Sequence, residues 1–142
     1  MINENYWVLK KETLPQHTDH AGVMWHGYYF NWLEEARIDA LSKAGIRYTD
    51  LVNKGYEMPV VNIEMKYKLP IFHGEVILIE SKFYINKGPR IKIKSNFIGK
   101  EKDIMTTSII DLVLINKNNF SIVREKPKFI LKALNHLKNG PR

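Results

Sequence analysis

The chain contains no cysteine. That removes disulfide frameworks, thiol nucleophiles and thiolate metal sites from consideration, so any nucleophilic chemistry falls to another side chain. No apolar run approaches the roughly 18–20 residues of a membrane span, and the opening MINENYWVLKKE lacks the basic start and apolar middle of a secretory signal. The expectation is a cytoplasmic protein with no membrane partner. Internal repeats, low-complexity linkers and composition shifts are missing as well, which points to a single domain over 1–142. With 44% hydrophobic and 26% charged residues, disorder and fibrous structure are both disfavoured. Negative charge is in deficit, leaving a net charge of +7 that would attract polyanions, whether nucleic acid or a nucleotide-bearing molecule. Lysine pairs such as Lys10/Lys11 and Lys92/Lys94 read as parts of a solvated face.

What the sequence does have is clear periodicity. YWVLKKET is β-favouring and is closed by Pro15. From Gly27 to Ala44, the sets Tyr29, Leu33, Ala36, Ala40 and Phe30, Arg37, Leu41, Ala44 fall at helical spacing, with Gly45 placed to end the helix. A short helix, YTDLVNKG, is expected next, capped by Thr49 and stopped by Gly55. The period then changes to two. Val61, Ile63, Met65, Tyr67 and Leu69 alternate with polar residues, as do Ile77, Ile79, Phe83, Ile85 and then Ile91, Ile93, Ser95, Phe97. IMTTSIIDLVLI is apolar on both parities, as in a strand covered on both faces, and KPKFILKALNHLK reads as a helix that frays toward Gly-Pro-Arg. The short connections imply an antiparallel sheet, and the long helix must bury its face against it. The expected class is α+β, a sheet of about five strands wrapped around one long central helix. The loop before that helix then lies at an end of the sheet.

That loop is HTDHAGVMWHG, residues 17–27. His17, Asp19, His20, His26 and His73 are suitable metal ligands by type, but His-x-Asp-His matches no recognised ligand spacing, and no metal is assigned. The other chemical reading begins at the helix start, where backbone N–H groups lack intrahelical acceptors and stabilise an anion. There Asp19 could attack a carbonyl or activate water while the N–H groups of His26 and Gly27 hold the carbonyl oxygen. A carboxylate and an oxyanion hole suffice for a thioester, whose thiolate leaves without much acid assistance. The structural alternative is that Asp19 makes an Asx turn or a helix-start bond and nothing more. The residues alone leave both open.

The stretch TDHAGVMWHGYYFNWLEEARIDAL resembles the hotdog-fold acyl-CoA thioesterases of the 4-hydroxybenzoyl-CoA thioesterase family, including the Tol-Pal-associated acyl-CoA thioesterases. Asp19, Gly22, Val23, Tyr29, Ala36 and Arg37 fall in register with the family pattern, and Lys68, Pro70, Gly74 and Glu75 match its second-strand block. The resemblance implies a hotdog fold, hydrolysis of acyl-CoA, no cofactor beyond the coenzyme A of the substrate, and a homodimer or homotetramer with the active site shared across an interface. It implies Asp19 as nucleophile or general base and His26 as a second catalytic position that also supplies a backbone donor. It further implies Tyr29 as a lining residue of the acyl site. Lys87 and Arg90, near the turn NKGPR, are assigned to the nucleotide phosphates. His17 and His20 depart from the pattern, which usually has an acidic residue at the first position and a small residue or proline at the second.

Two rival functions stand beside acyl-CoA hydrolysis in general. One narrows the substrate to an aromatic acyl-CoA such as a hydroxybenzoyl or dihydroxynaphthoyl thioester, suggested by Trp25, Tyr28, Tyr29 and Trp32. The other is a non-catalytic module that binds acyl-CoA or nucleic acid. Nucleic acid is the weaker partner, since the aromatics sit in the helix and are not interleaved with a basic strand face.

Overall fold

A computed structural model describes residues 5–142. The chain opens with β1 (Trp7–Glu12) and, after the loop, enters α1 (His26–Lys43) and the short α2 (Tyr48–Asn53). It continues through β2 (Tyr56–Glu57), β3 (Val60–Tyr67), β4 (Val76–Ile85), β5 (Arg90–Ile98), β6 (Ile104–Val113) and β7 (Ile115–Asn116), and closes with α3 (Lys128–Asn139). Five strands form one sheet in the order β1-β4-β5-β6-β3, every pairing antiparallel, while β2 and β7 pair with each other as a small second ladder. This is the hotdog arrangement expected from the resemblance.

The period-two pattern explains which face is buried. Ile77, Ile79, Ser81 and Phe83 of β4 lie opposite Phe97, Ser95, Ile93 and their neighbours on β5, and all are buried. The polar members of this face are satisfied within it, as the Ser81 and Ser95 hydroxyls share a 2.7 Å hydrogen bond. Helix α1 buries Tyr29, Trp32, Leu33, Ala36, Ala40 and Leu41. The stripe therefore includes Trp32, which the helical spacing did not single out, and leaves Phe30 exposed.

The helix ends divide into two kinds. Gly45 (φ +118°) and Gly55 (φ +95°) take the left-handed conformation just past the caps of α1 and α2, where a side chain would be strained. Thr49 caps nothing, because α2 begins one residue earlier behind an Arg47 N-cap. The C-terminal helix does not fray. It buries Ile130, Ala133, Leu134 and Leu137, and the Trp7 indole Nε1 donates to the Leu137 carbonyl at 2.9 Å. Ile130, Leu134 and Leu137 contribute about 1.5–3 kcal/mol each as an upper bound, which outweighs the Gly-Pro-Arg terminus.

The two ends of the sheet face different surroundings. Glu12, Tyr67, Val76, Phe97 and Thr106 lie at the end nearest the 17–27 loop, and Val60, Ile85, Arg90 and Val113 lie at the other. From Arg90 to Phe97 the sheet extends about 23 Å, at ~3.3 Å per residue. β3 is an edge strand, bonded only to β6, and leaves Val60, Val61, Ile63 and Tyr67 exposed. Among the described residues no helix is long and apolar enough to cross a membrane.

Candidate active site at the start of the central helix

Residues 18–24 form a tight hairpin. Thr18 bridges Met24, the Asp19 N–H donates to the Val23 carbonyl at 2.9 Å, and the Gly22 N–H closes the turn on the Asp19 carbonyl at 3.0 Å. Gly22 has φ +80°, which is why glycine stands there. The Asp19 carboxylate is part of this hairpin, since its Oδ1 accepts the Ala21 N–H at 2.9 Å and the Val23 N–H at 3.3 Å. The Asx turn is thus present, yet it occupies only one oxygen. Oδ2 has no hydrogen-bond partner among the described residues and is held at a fixed orientation by the anchoring of Oδ1.

The hairpin is docked on the sheet through the second-strand block. Val23 lies opposite Phe72, and the Met24 N–H donates to the Ile71 carbonyl at 2.7 Å. The Gly-acid turn that follows has its own function: Gly74 (φ +89°) donates to the Thr13 carbonyl at 2.6 Å, and Glu75 Oε2 accepts the Phe72 N–H at 3.2 Å. Ile71 and Phe72, held by the Gly74–Glu75 turn, are therefore the platform beneath the loop.

Helix α1 then begins without a side-chain cap. The Trp25 N–H donates to the His17 carbonyl at 2.9 Å and the Tyr28 N–H to the Trp25 carbonyl at 3.0 Å. The N–H groups of His26 and Gly27 have no acceptor among the described residues, so they are the open donors at the positive end of the helix. The Trp25 indole lies directly on Gly27, where any Cβ would overlap the ring. Its centroid is 4.8 Å from that of His26 and 6.0 Å from that of Tyr28. A side chain at 27 would have to displace the ring of Trp25, a residue that the sequence pattern marks only as one aromatic among several.

The histidines separate by burial. His17 is buried, its Nδ1 accepts the Leu14 N–H at 3.0 Å, and its ring meets Tyr28 and Trp32 edge-on at 5.0 and 5.3 Å. Burial, assisted by Lys11, holds its imidazole below the usual histidine range, against a smaller opposing effect of Glu35. The departure at position 17 is thus a packed, neutral histidine that ties the loop to the helix. His20 rides on the exposed turn, and His26 and His73 are also exposed. Among the described residues no three His, Cys, Asp or Glu side chains converge as a metal site would require.

Tyr29 is buried on the sheet side of α1, with ring contacts to Tyr67 at 4.9 Å and Phe97 at 5.3 Å. Burial pushes its phenol above the usual tyrosine range, partly offset by the Thr106 hydroxyl beside it. Tyr67, Leu69, Phe72 and Trp25 are exposed on this end of the molecule. Asp19, His26, Gly27 and Tyr29 are therefore gathered at one end of the sheet. Lys87 and Arg90 are not: they lie on the β4–β5 turn and the start of β5, at the opposite end, and Arg90 approaches Asp111 at 3.8 Å.

Residues 13–124 match the profile of the Thioesterase-like superfamily. The chain belongs to that superfamily. A Synechocystis sp. protein named as a candidate esterase is 30% identical over 134 residues, covering 94% of this chain and 81% of its own. A Bacillus subtilis protein named as a candidate acyl-CoA thioesterase is 34% identical over 76 residues, 52% of this chain and 55% of that one. The structure of the DHNA-CoA thioesterase from Staphylococcus aureus superposes with a TM-score of 0.79 at 29% identity, covering 84% of this chain and 80% of that one. The superfamily and its named members make this chain a thioester hydrolase.

Proposed function

We propose that the protein is an acyl-CoA thioesterase of the cytoplasm, one domain over 1–142, from the 4-hydroxybenzoyl-CoA thioesterase branch that includes the Tol-Pal-associated enzymes. The observation that carries the reading is the half-used Asp19 carboxylate on the loop that leads to the two open amides of the α1 start. Oδ1 is spent on the hairpin, and Oδ2 is free to attack the thioester carbonyl or to take a proton from water. The N–H groups of His26 and Gly27 donate to the carbonyl oxygen as negative charge develops on it, and the His26 side chain stands at the same helix start. The acyl group is received by Trp25, Tyr67 and Phe72, with Tyr29 as the wall behind Tyr67.

The edge strand β3 supports a homodimer, paired further into a tetramer. An eight-residue strand with one unbonded edge and exposed Val60, Val61, Ile63 and Tyr67 is a template for a second copy. Pairing β3 with its own copy across a two-fold axis sets the Tyr67 end of one protomer beside the Val60 end of the other. Arg90 and Lys87 of one protomer then serve the coenzyme A bound by its partner, which reconciles their place at the far end with a role in phosphate binding.

Two features favour an aromatic acyl group, as a second reading: the exposed Trp25, Tyr67 and Phe72 around the loop, and the DHNA-CoA thioesterase among the structural neighbours. Release of free coenzyme A from a panel of thioesters that differ only in the acyl group tests both readings. Hydrolysis across the panel supports a thioesterase, and a preference for aromatic over short aliphatic acyl groups supports the narrower assignment. Binding of acyl-CoA without release from any member would leave the non-catalytic binding module.

A further inference from the structure

Of the five histidines only His17 is buried, and its bonds run in two directions. It ends a single turn of 3-10 helix, Pro15–His17, that joins β1 to the Asp19 hairpin. The turn closes on itself: the His17 N–H donates to the Leu14 carbonyl at 2.9 Å, and His17 Nδ1 accepts the Leu14 N–H at 3.0 Å. This is the reciprocal pattern of a capping box, in which the returning side chain ordinarily accepts through a Glu or Gln oxygen. The His17 carbonyl then accepts the Trp25 N–H at 2.9 Å, one residue before the two open amides of α1. The ring stands edge-on to Tyr28 and Trp32 of the same helix. His17 therefore links the exit of β1, the start of α1 and, two residues on, Asp19.

An amide or carboxyl oxygen at this position would keep an acceptor for the Leu14 N–H at every pH. An imidazole accepts only while neutral, since its protonated form has two N–H donors and no acceptor. A proton on Nδ1 would face the Leu14 N–H, donor against donor, in a site that is 8% exposed. The titratable groups around the ring are Lys11 on β1, Glu35 and Tyr28 on α1, and Asp19 and His20 on its own loop. Lys11 and Glu35 are engaged with each other at 2.8 Å, and burial, which disfavours the imidazolium, is a larger effect than either. A protonated ring is thus driven out toward water. Its departure releases the turn that ties the hairpin to the helix.

We propose that His17 is a positioning residue for Asp19: its neutral form fixes the hairpin against the start of α1, and its protonation sets the acid limit of thioester hydrolysis. The inference rests on the Asp19 thioesterase reading above and adds regulation of that site by pH. His17 acts through the backbone it holds and exchanges no proton with the substrate.

The test is the pH dependence of acyl-CoA hydrolysis from about pH 8 to about pH 5, with thermal denaturation at each pH to show that the fold persists. Wild-type kcat is expected to be full at the upper end and to fall reversibly as the pH drops through the His17 value, below about 6.5, while KM changes less than about twofold. His17→Asn offers an acceptor oxygen near the Nδ1 position and does not titrate. Its kcat at about pH 5.5 is expected to stay within about twofold of its own value at about pH 7.5. His17→Phe keeps a ring without an acceptor, and its kcat at about pH 7.5 is expected to lie about tenfold below wild type. An acid limb that persists unchanged in His17→Asn, or that His20→Gln or His26→Gln removes instead, would overturn the proposal. So would a His17→Phe protein with wild-type kcat. NMR reads the same clamp without turnover: the Leu14 and Trp25 amide signals are expected to move with the His17 ring at one shared midpoint. A Trp25 amide that stays in place while His17 titrates would overturn the clamp, whereas a wild-type protein that hydrolyses no acyl-CoA refutes the thioesterase reading alone.

Discussion

Asp19 builds the hairpin and, in the proposed mechanism, also carries the reaction, and two substitutions pull these roles apart. Asp19→Ala removes both, since Ala21 and Val23 N–H lose their side-chain acceptor along with the reactive oxygen. Two exposed hydrogen bonds of this type are worth about 0.5–1 kcal/mol each, so a loss of about 1–2 kcal/mol is expected, or ~3–6 °C in Tm for a chain of this size. Asp19→Asn keeps a carbonyl oxygen where Oδ1 stands, preserves the Asx turn, and should leave Tm within ~1–2 °C of wild type. It nevertheless removes the group proposed to attack or deprotonate, and kcat/KM for acyl-CoA is expected to fall about 10²–10⁴-fold. Thermal denaturation alongside free-thiol release measures both quantities on the same samples. An Asn variant with native Tm and more than a tenth of the wild-type kcat/KM would show that Asp19 only builds the turn.

Three further outcomes follow from the same geometry. Trp25 is 48% exposed while Trp7 and Trp32 are 4% and 2% exposed, so Trp25 is the accessible fluorophore. Gly27→Ala must push its ring aside, giving a red-shifted emission and easier acrylamide quenching, and unchanged fluorescence would contradict the packing of Trp25 on Gly27. Ile63→Lys on β3 is expected to yield a folded monomer by light scattering with most hydrolysis lost, whereas a persistent dimer would exclude the β3 edge as the interface. For His17, the folded-state pKa lies below the unfolded value near 6.5, so stability is fully present above that pH and declines as the pH falls through the lowered His17 value. His17→Phe should flatten that decline, read as a smaller difference in denaturation midpoint between pH 7.5 and 5.5. A decline as steep as in wild type would remove His17 as its source.

The fold was legible because its main signals are local. The alternation in β4 and β5 is set by neighbours two residues apart, and the α1 stripe by neighbours three and four apart, so each survives without knowledge of the partner element. Phe30 and Trp32 mark the limit. Both fit a helix, and which one the sheet covers depends on the angle at which α1 lies across it. Thr49 failed as a cap for a related reason, since the backbone at Arg47 had already turned into α2. The α3 helix was legible but its stability was not, because the Trp7–Leu137 bond that fastens it joins residues 130 positions apart.

The candidate site was half legible, and the missing half is spatial. Asp19 and the helix-start amides follow from a loop–helix pattern within eleven residues. The Trp25 ring over Gly27 and the burial of His17 depend on where rings point, which residue type alone does not specify. The distribution of charge shows the opposite case. The tally that puts +6 of the net +7 in residues 117–142 requires no structure. Scattered lysine pairs nevertheless look like a solvated face until the fold sets Lys87, Arg124, Lys126, Lys128 and Lys138 along one cleft.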